Sequence, residues 1–230
     1  MSPSNTPISV IIPTLDAAAS LPATLAALAE ARPLVREVII ADGGSCDATV
    51  AIAAAAGVRV ETAPRGRGAQ LAAGAAVAAG DWFCFLHADT RPEPGWATEL
   101  ARFVGDPRNR ERAAYLAYRL DDTSAPARRL ERIVAWRSRV LGLPYGDQGL
   151  ILARDFYRAL GGFPPLVLME DVAFVRRIGR RRLVALKAGA LTSAARYRRE
   201  GYLLRPLRNL CCLALYFLGA SPRLIGRLYG

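Results

Sequence analysis

A chain of 230 residues with 52% hydrophobic and 22% charged side chains can bury a sizeable core, which argues against a disordered protein. The formal charge is +11 and Lys187 is the only lysine, so the cationic character is carried by arginine. Four cysteines without a CxxC pair, beside a single histidine, argue against a structural zinc centre.

The opening "MSPSNTPISVIIPT" has neither a basic n-region nor a long apolar core, so it does not read as a signal peptide. A reducing, cytoplasmic compartment is expected. "ISVIIPT" (8–14) is a β-branched run typical of a buried parallel strand. A helix is expected over 20–31, with Ser20 as N-cap and Pro22 just inside. "EVIIADGGS" (37–45) reads as a second strand ending in a glycine turn. A helix over 46–57 follows, with Asp47 near its start and Gly57 as its stop. "VRVETA" (58–63) reads as a third strand, 68–80 as a third helix, and "DWFCFLHAD" (81–89) as a fourth strand with Cys84 buried in it.

Strands spaced by helices of this length imply right-handed crossovers and a mostly parallel sheet, with ligands at the C-terminal strand ends. Three carboxylates fall there: Asp16, Asp42 and Asp89. The second half reads as a strand (113–120), a long Arg-rich helix (124–142), a strand (148–154), the turn "GGFPP" (161–165), a helix opening on two acids (168–182) and a strand region (182–194). From Arg176 to Arg227 there are thirteen basic residues and one acid, Glu200. Such a stretch suits phosphates, nucleic acid or an anionic membrane, or is simply a solvated face.

Three stretches suit chemistry. "GRGAQLAAGA" (66–75) enters a helix through a glycine turn flanked by Arg65 and Arg67. That arrangement cradles an anion on free N–H groups, or is an ordinary helix start. It lacks the third glycine of the dinucleotide fingerprint, and no P-loop is present. "HAD" (87–89) offers a carboxylate for Mg²⁺ or Mn²⁺ completed by water and diphosphate oxygens. Alternatively His87 is a rim histidine and Asp89 the N-cap of a helix through "PEPGWATEL". "LMEDV" (168–172) puts Glu170 and Asp171 at a helix N-terminus, as caps or with one of them a general base. On a helix the two point in different directions.

Taken in order, "SVIIPTLDAAASLPATLAAL", "VIIADGGSCDAT", "GRGAQLAAGA", "FLHADT", "YGDQGLILARDFYRALGGFPPLVLMEDV" and "TSAARY" resemble a family 2 glycosyltransferase. The likeness covers roughly residues 7 to 200. It extends to a small bacterial subgroup labelled as arsenosugar-biosynthesis glycosyltransferases. The resemblance implies an α/β GT-A fold: Rossmann-like, with a mostly parallel central sheet flanked by helices. The domain would span 1–200, with a nucleotide-sugar-binding half (7–120) and an acceptor half (121–200), followed by an amphipathic helical segment (201–230).

The resemblance also implies roles. Pro13, Thr14 and Asp16 would line the nucleotide pocket, with Asp42 and Gly43 at the base. Arg67, or Arg65 in its place, would lie near the nucleotide, beside His87 and Ala88. Asp89 would hold the divalent cation, Mg²⁺ or Mn²⁺. Asp171 would be the base, paired with Glu170. Gly146, Asp147 and Gln148, with Gly162 and Phe163, would shape the donor and acceptor pocket. The donor would be a UDP- or GDP-sugar. His87 stands where the family's DxD-type motif has its first acid, which leaves the metal site one charge short. One base and no carboxylate nucleophile imply a single displacement with inversion.

In 202–230 the continuous apolar run is only Leu210–Ala220, too short to span a bilayer, which takes ~20 residues. Leu203, Leu207, Leu210, Ala214 and Phe217 form one helical stripe, flanked by Arg205, Arg208, Arg223 and Arg227. The segment suits a helix lying on the inner face of an anionic membrane, or one docked on the core or a dimer partner. Nucleic acid ranks low as a partner, because aromatics are not interleaved with the basic run. A nucleotidyltransferase would want a glycine-rich first turn that "PTLDAAAS" lacks. A homologue that binds nucleotide without turnover is kept open by His87.

Overall fold

The first β-branched run becomes the middle of a sheet, and every residue of it is buried. In the computed structural model, which describes residues 7–166, 168–220, 225, 226 and 228, the elements follow in the order β1 (Ile8–Thr14), α1 (Leu21–Ala27), β2 (Val35–Asp42), α2 (Thr49–Ala55), β3 (Arg59–Thr62), α3 (Arg67–Val77), β4 (Trp82–Phe85) and β5 (Thr90–Pro92). There follow α4 (Trp96–Gly105), β6 (Ala113–Leu120), α5 (Ala125–Trp136), β7 (Leu150–Ala153), α6 (Arg154–Ala159), α7 (Glu170–Ile178), β8 (Leu183–Thr192), α8 (Ala195–Glu200) and α9 (Leu204–Phe217).

One sheet orders the strands β3-β2-β1-β4-β7-β6-β8-β5. The first four lie parallel, β6 and β8 run the same way, and β7 and β5 run against them. The expected mostly parallel α/β sheet is present. Because β7 lies between β4 and β6, the two sequence halves share one sheet.

Buried Gln70 on α3 donates to Thr14 O (2.6 Å) and Ala41 O (3.0 Å), tying the helix to the C-terminal ends of β1 and β2. Gly74 lets α3 lie flat on the sheet: a β-carbon there would sit 2.5 Å from Ile11 Cγ2.

Several boundaries differ from the sequence reading. The fourth strand stops at Phe85, so His87–Asp89 form a turn closed by Thr90 N donating to His87 O (3.2 Å). That turn leads into β5, a three-residue edge strand containing Pro92 that was not anticipated. The next helix begins at Trp96 behind Gly95 (φ 91°), so Asp89 is not its N-cap. Ser20 occupies the N-cap position of α1 but its hydroxyl makes no capping bond and donates back to Ala17 O (3.3 Å). The long helix expected over 124–142 is α5 followed by a π turn, Arg137–Leu141, stopped by Gly142 (φ 65°). The helix opening on the two acids stops at Ile178, before Gly179. The C-terminal helix forms as expected, but Arg223 and Arg227 lie outside the described residues.

Candidate active site

At the ends of β1 and β2, Asp42 organises the glycine turn. Its Oδ1 accepts from Thr14 Oγ1 (2.8 Å) and Ser45 Oγ (2.5 Å), and its Oδ2 from Gly44 N (3.0 Å) and Ser45 N (2.8 Å). Burial raises its pKa, but these bonds outweigh burial and hold it below the ordinary value. Both oxygens are engaged by the turn, so contact with a nucleotide would displace one of these bonds. Asp16, at positive φ (50°), accepts from Cys46 N (2.8 Å) and is exposed on the rim. Pro13, Thr14, Gly43 and Ala88 are buried beneath that rim. Ala88 O accepts from Thr24 Oγ1 (2.8 Å), which anchors the His87–Asp89 turn to α1.

The second group of residues converges from three distant segments on a cavity of about 540 Å³. Arg67, from the start of α3, reaches Glu170, with its Nε 2.9 Å from Glu170 Oε1. Glu170 is fully buried; burial and neighbouring Asp171 push its pKa up to about 7 against the pull of Arg67. One residue on, Asp171 faces the cavity. Its Oδ2 accepts from Gly146 N (2.9 Å) and its Oδ1 from Val172 N (2.7 Å). The two acids diverge as helical geometry requires.

His87, Asp89 and Asp147 complete the floor. Burial, reinforced by Arg67 and opposed by Asp89 and Asp171, pushes His87 down to about 4, so the imidazole is neutral near pH 7. Burial pushes Asp147 up to about 6, with Asp171 and Asp89 adding to the rise while Arg137 and Arg67 oppose it. Its buried Oδ1 makes no hydrogen bond among the described residues. Gly146 is required by close approach: a β-carbon there would stand 2.5 Å from His87 Nε2.

Not every expected pocket residue lines the cavity. Gln148 is buried behind it, accepting from Ser138 Oγ (2.9 Å) and donating to Leu116 O (3.2 Å). In the short turn Gly146–Gln148 adjacent side chains diverge, so Asp147 faces the cavity and Gln148 the core. Gly162 and Phe163 also stand away from it. Phe163 packs on Phe85 and Phe174, at centroid distances of 4.9 and 4.5 Å. Arg65 is exposed and off the cavity, leaving Arg67 as the basic residue there.

Residues not singled out in the sequence form much of the remaining walls: Tyr118, Arg137 and Arg196 on one side and apolar side chains of α5 at the mouth, where Leu207 and Leu210 of the α9 stripe join them. Arg137 stacks on Tyr145, 3.4 Å from its ring centroid. Arg196 lies within the quoted "TSAARY", the only signal that marked it.

Residues 9–151 match Glycosyl transferase family 2. The chain belongs to that family. It is therefore a glycosyltransferase, and no curated protein matches its sequence. The crystal structure of glucosyl-3-phosphoglycerate synthase from Mycobacterium tuberculosis in complex with Mn²⁺, UDP and glucosyl-3-phosphoglycerate is similar to this glycosyltransferase. The TM-score is 0.63 at 21% identity, covering 93% of this chain and 80% of that one. The same synthase with Mn²⁺, UDP-glucose and glycerol 3-phosphate gives a TM-score of 0.64, also at 21% identity and with the same coverage. S. aureus TarS (1–349) gives a TM-score of 0.64 at 16% identity, covering 96% of this chain and 69% of that one. These likenesses carry the GT-A fold of this family 2 glycosyltransferase.

Proposed function

We propose that this glycosyltransferase moves a sugar from a nucleotide-diphosphate donor to an acceptor hydroxyl by single displacement, with Asp171 as general base. The observation that carries this is convergence: Asp171, Asp89 and Arg67 face one cavity although they come from α7, the β4–β5 turn and α3. Asp171 is aimed by two backbone N–H groups. As the acceptor oxygen bonds to the anomeric carbon, its proton passes to the Asp171 carboxylate. The bond from that carbon to the diphosphate oxygen breaks, and its electron pair leaves with the nucleotide diphosphate. Attack opposite the leaving group inverts the centre.

Arg67, oriented by buried Glu170, sits where charge develops on the leaving diphosphate. The nucleotide would lie along the rim from Asp16 to Asp42, over Thr14 and Gly43, and reach the cavity past His87, Ala88 and Asp89. This assigns 7–120 to the donor and 121–200 largely to the acceptor.

Among the described residues no three His, Cys, Asp or Glu groups are placed to hold an ion between them. Asp89, a carboxylate on the cavity floor, suits a cation that takes one protein carboxylate and keeps water and diphosphate oxygens for the rest, as Mg²⁺ and Mn²⁺ do. When bound, such an ion would neutralise diphosphate charge. Neutral His87 adds no charge to that site. Placement in the arsenosugar-labelled subgroup rests on motif order alone, and no cavity feature points to arsenic.

Calorimetric titration with UDP and with GDP, with and without Mn²⁺, tests this reading. One nucleotide is expected to bind in a metal-dependent manner, and Asp89→Ala is expected to abolish the metal dependence. No binding of either nucleotide would sink the proposal, and binding without turnover of the matching sugar nucleotides would reduce the chain to a nucleotide-binding homologue.

A further inference from the structure

The cavity has two chemically distinct ends. Its floor carries Asp171, Asp147, Asp89, His87 and Arg67. Its mouth is formed by Ile133, Trp136 and Leu141 from α5 and the π turn, facing Leu207 and Leu210 from α9. These five line the cavity and are also exposed, Trp136 and Leu207 at 57% and Leu210 at 60%. An opening built to admit a small polar acceptor has no use for such a rim, since each exposed Leu or Trp forgoes the stabilisation that burial would return.

α9 extends the same surface. Every exposed residue of this helix is apolar: Leu204, Leu207, Leu210, Cys211, Ala214 and Phe217. Of its two arginines, Arg205 is buried and Arg208 half-buried, and both pair with Glu200. Flanking Leu203 and Leu218 are the most exposed large apolar side chains described, at 79% and 82%. Cys212 and Leu213 are buried on the inner side of α9, so the helix is apolar on its outer face as well, and a contiguous exposed apolar face of this kind calls for a cover.

Charge selects the cover. On α5, exposed Arg129 and Arg132 precede Ile133 and Trp136 by four residues, on the same helical rows. A second copy docked through this face would offer α5 the same helix, whose exposed residues include arginines and no acid, whereas an anionic bilayer supplies their complement. No described helix is long and apolar enough to cross a membrane. α9 would therefore lie in the interface plane.

Resting on the transfer reading above, we propose that the acceptor is an amphiphile drawn from an anionic bilayer. Its hydroxyl head lies at Asp171 and its hydrocarbon chain leaves through the α5–α9 mouth into the lipid on which α9 lies.

Trp136 supplies the reporter, because Trp82 and Trp96 are buried (0% and 1% exposed) and these three are the chain's tryptophans. Vesicles of equimolar phosphatidylcholine and phosphatidylglycerol, brominated on their acyl chains, are expected to quench it. The Leu204→Asp/Leu218→Asp variant, altered outside the cavity, should need roughly tenfold or more lipid for the same quenching. Its calorimetric binding of UDP or GDP should be unchanged. Free ω-bromododecanol should quench Trp136 saturably, and Leu210→Asp should abolish that saturation. Nucleotide binding with an unquenched Trp136 would overturn the lipid assignment and leave the transfer reading standing. Quenching without nucleotide binding would do the reverse, keeping the lipid-facing surface alone. Concentration-dependent dimerisation that shields Trp136 from brominated vesicles would assign the face to a second copy and overturn the proposal.

Discussion

The two adjacent acids of α7 separate cleanly in environment, and each predicts a different experiment. Asp171→Asn keeps shape and one of the two backbone contacts, since its amide nitrogen cannot accept from an N–H, and it cannot take the acceptor proton. We expect turnover to fall by roughly 10²–10⁴-fold, with nucleotide affinity retained in calorimetry. Glu170 acts on stability. Its folded pKa of about 7 lies above the ordinary glutamate value of 4.5, so the folded state holds the proton over a range where the unfolded chain has lost it. Its contribution is full below pH ~4.5 and is lost as pH rises through ~7. His87 has the opposite sign: its folded value of about 4 lies below 6.5, so its contribution is present above pH ~6.5 and lost on acidification toward ~4. Thermal melts should show the wild type losing ground against Glu170→Gln as pH rises from ~4.5 to ~7. Parallel pH profiles for the two proteins would refute the raised value.

At the scale of elements, one buried side chain, Gln70, ties α3 to the strand ends by hydrogen bonds. Gln70→Leu would strip hydrogen bonds from two buried strand-end carbonyls, Thr14 O and Ala41 O. The expected loss is ~2 kcal/mol or more, read as a lower urea midpoint at constant slope. Gly146→Ala tests the floor, since the added methyl must move His87 or the Asp147 turn. Turnover should drop roughly tenfold or more with little change in melting temperature.

The alternating β1-to-β4 half was legible because buried parallel strands and their crossover helices leave a strong apolar rhythm. β5 was not, being three residues with a proline, held by pairing with β8. Of the site, Arg67, Asp89 and Asp171 could be chosen from motif order, and Asp147 only together with Gln148. Which of two neighbours faces the cavity could not, because a short turn such as Gly146–Gln148 has no period to read. The stripe Leu203–Leu207–Leu210–Ala214–Phe217 was likewise visible in the sequence. Its outward orientation was not, since periodicity identifies a face without saying what that face meets.

For the whole molecule, the net charge of +11 is dominated by arginine. Arg67, Arg137 and Arg196 bring part of it to the cavity. Nucleotide affinity should therefore weaken as salt rises from ~0.05 to ~0.5 M, as screening shortens the reach of these charges. A flat salt response would mean that close contacts alone hold the diphosphate.

The Arg67–Glu170 pair joins residues 103 positions apart, and Gly146–Asp171 joins the β6–β7 connection to α7. No local segment contains enough of the floor to work alone. Helices can form early during refolding, whereas contacts between segments so far apart in sequence close late. Recovery of catalytic turnover after dilution from denaturant should then lag recovery of helical circular dichroism, which makes activity a clock for the long-range contacts of the floor.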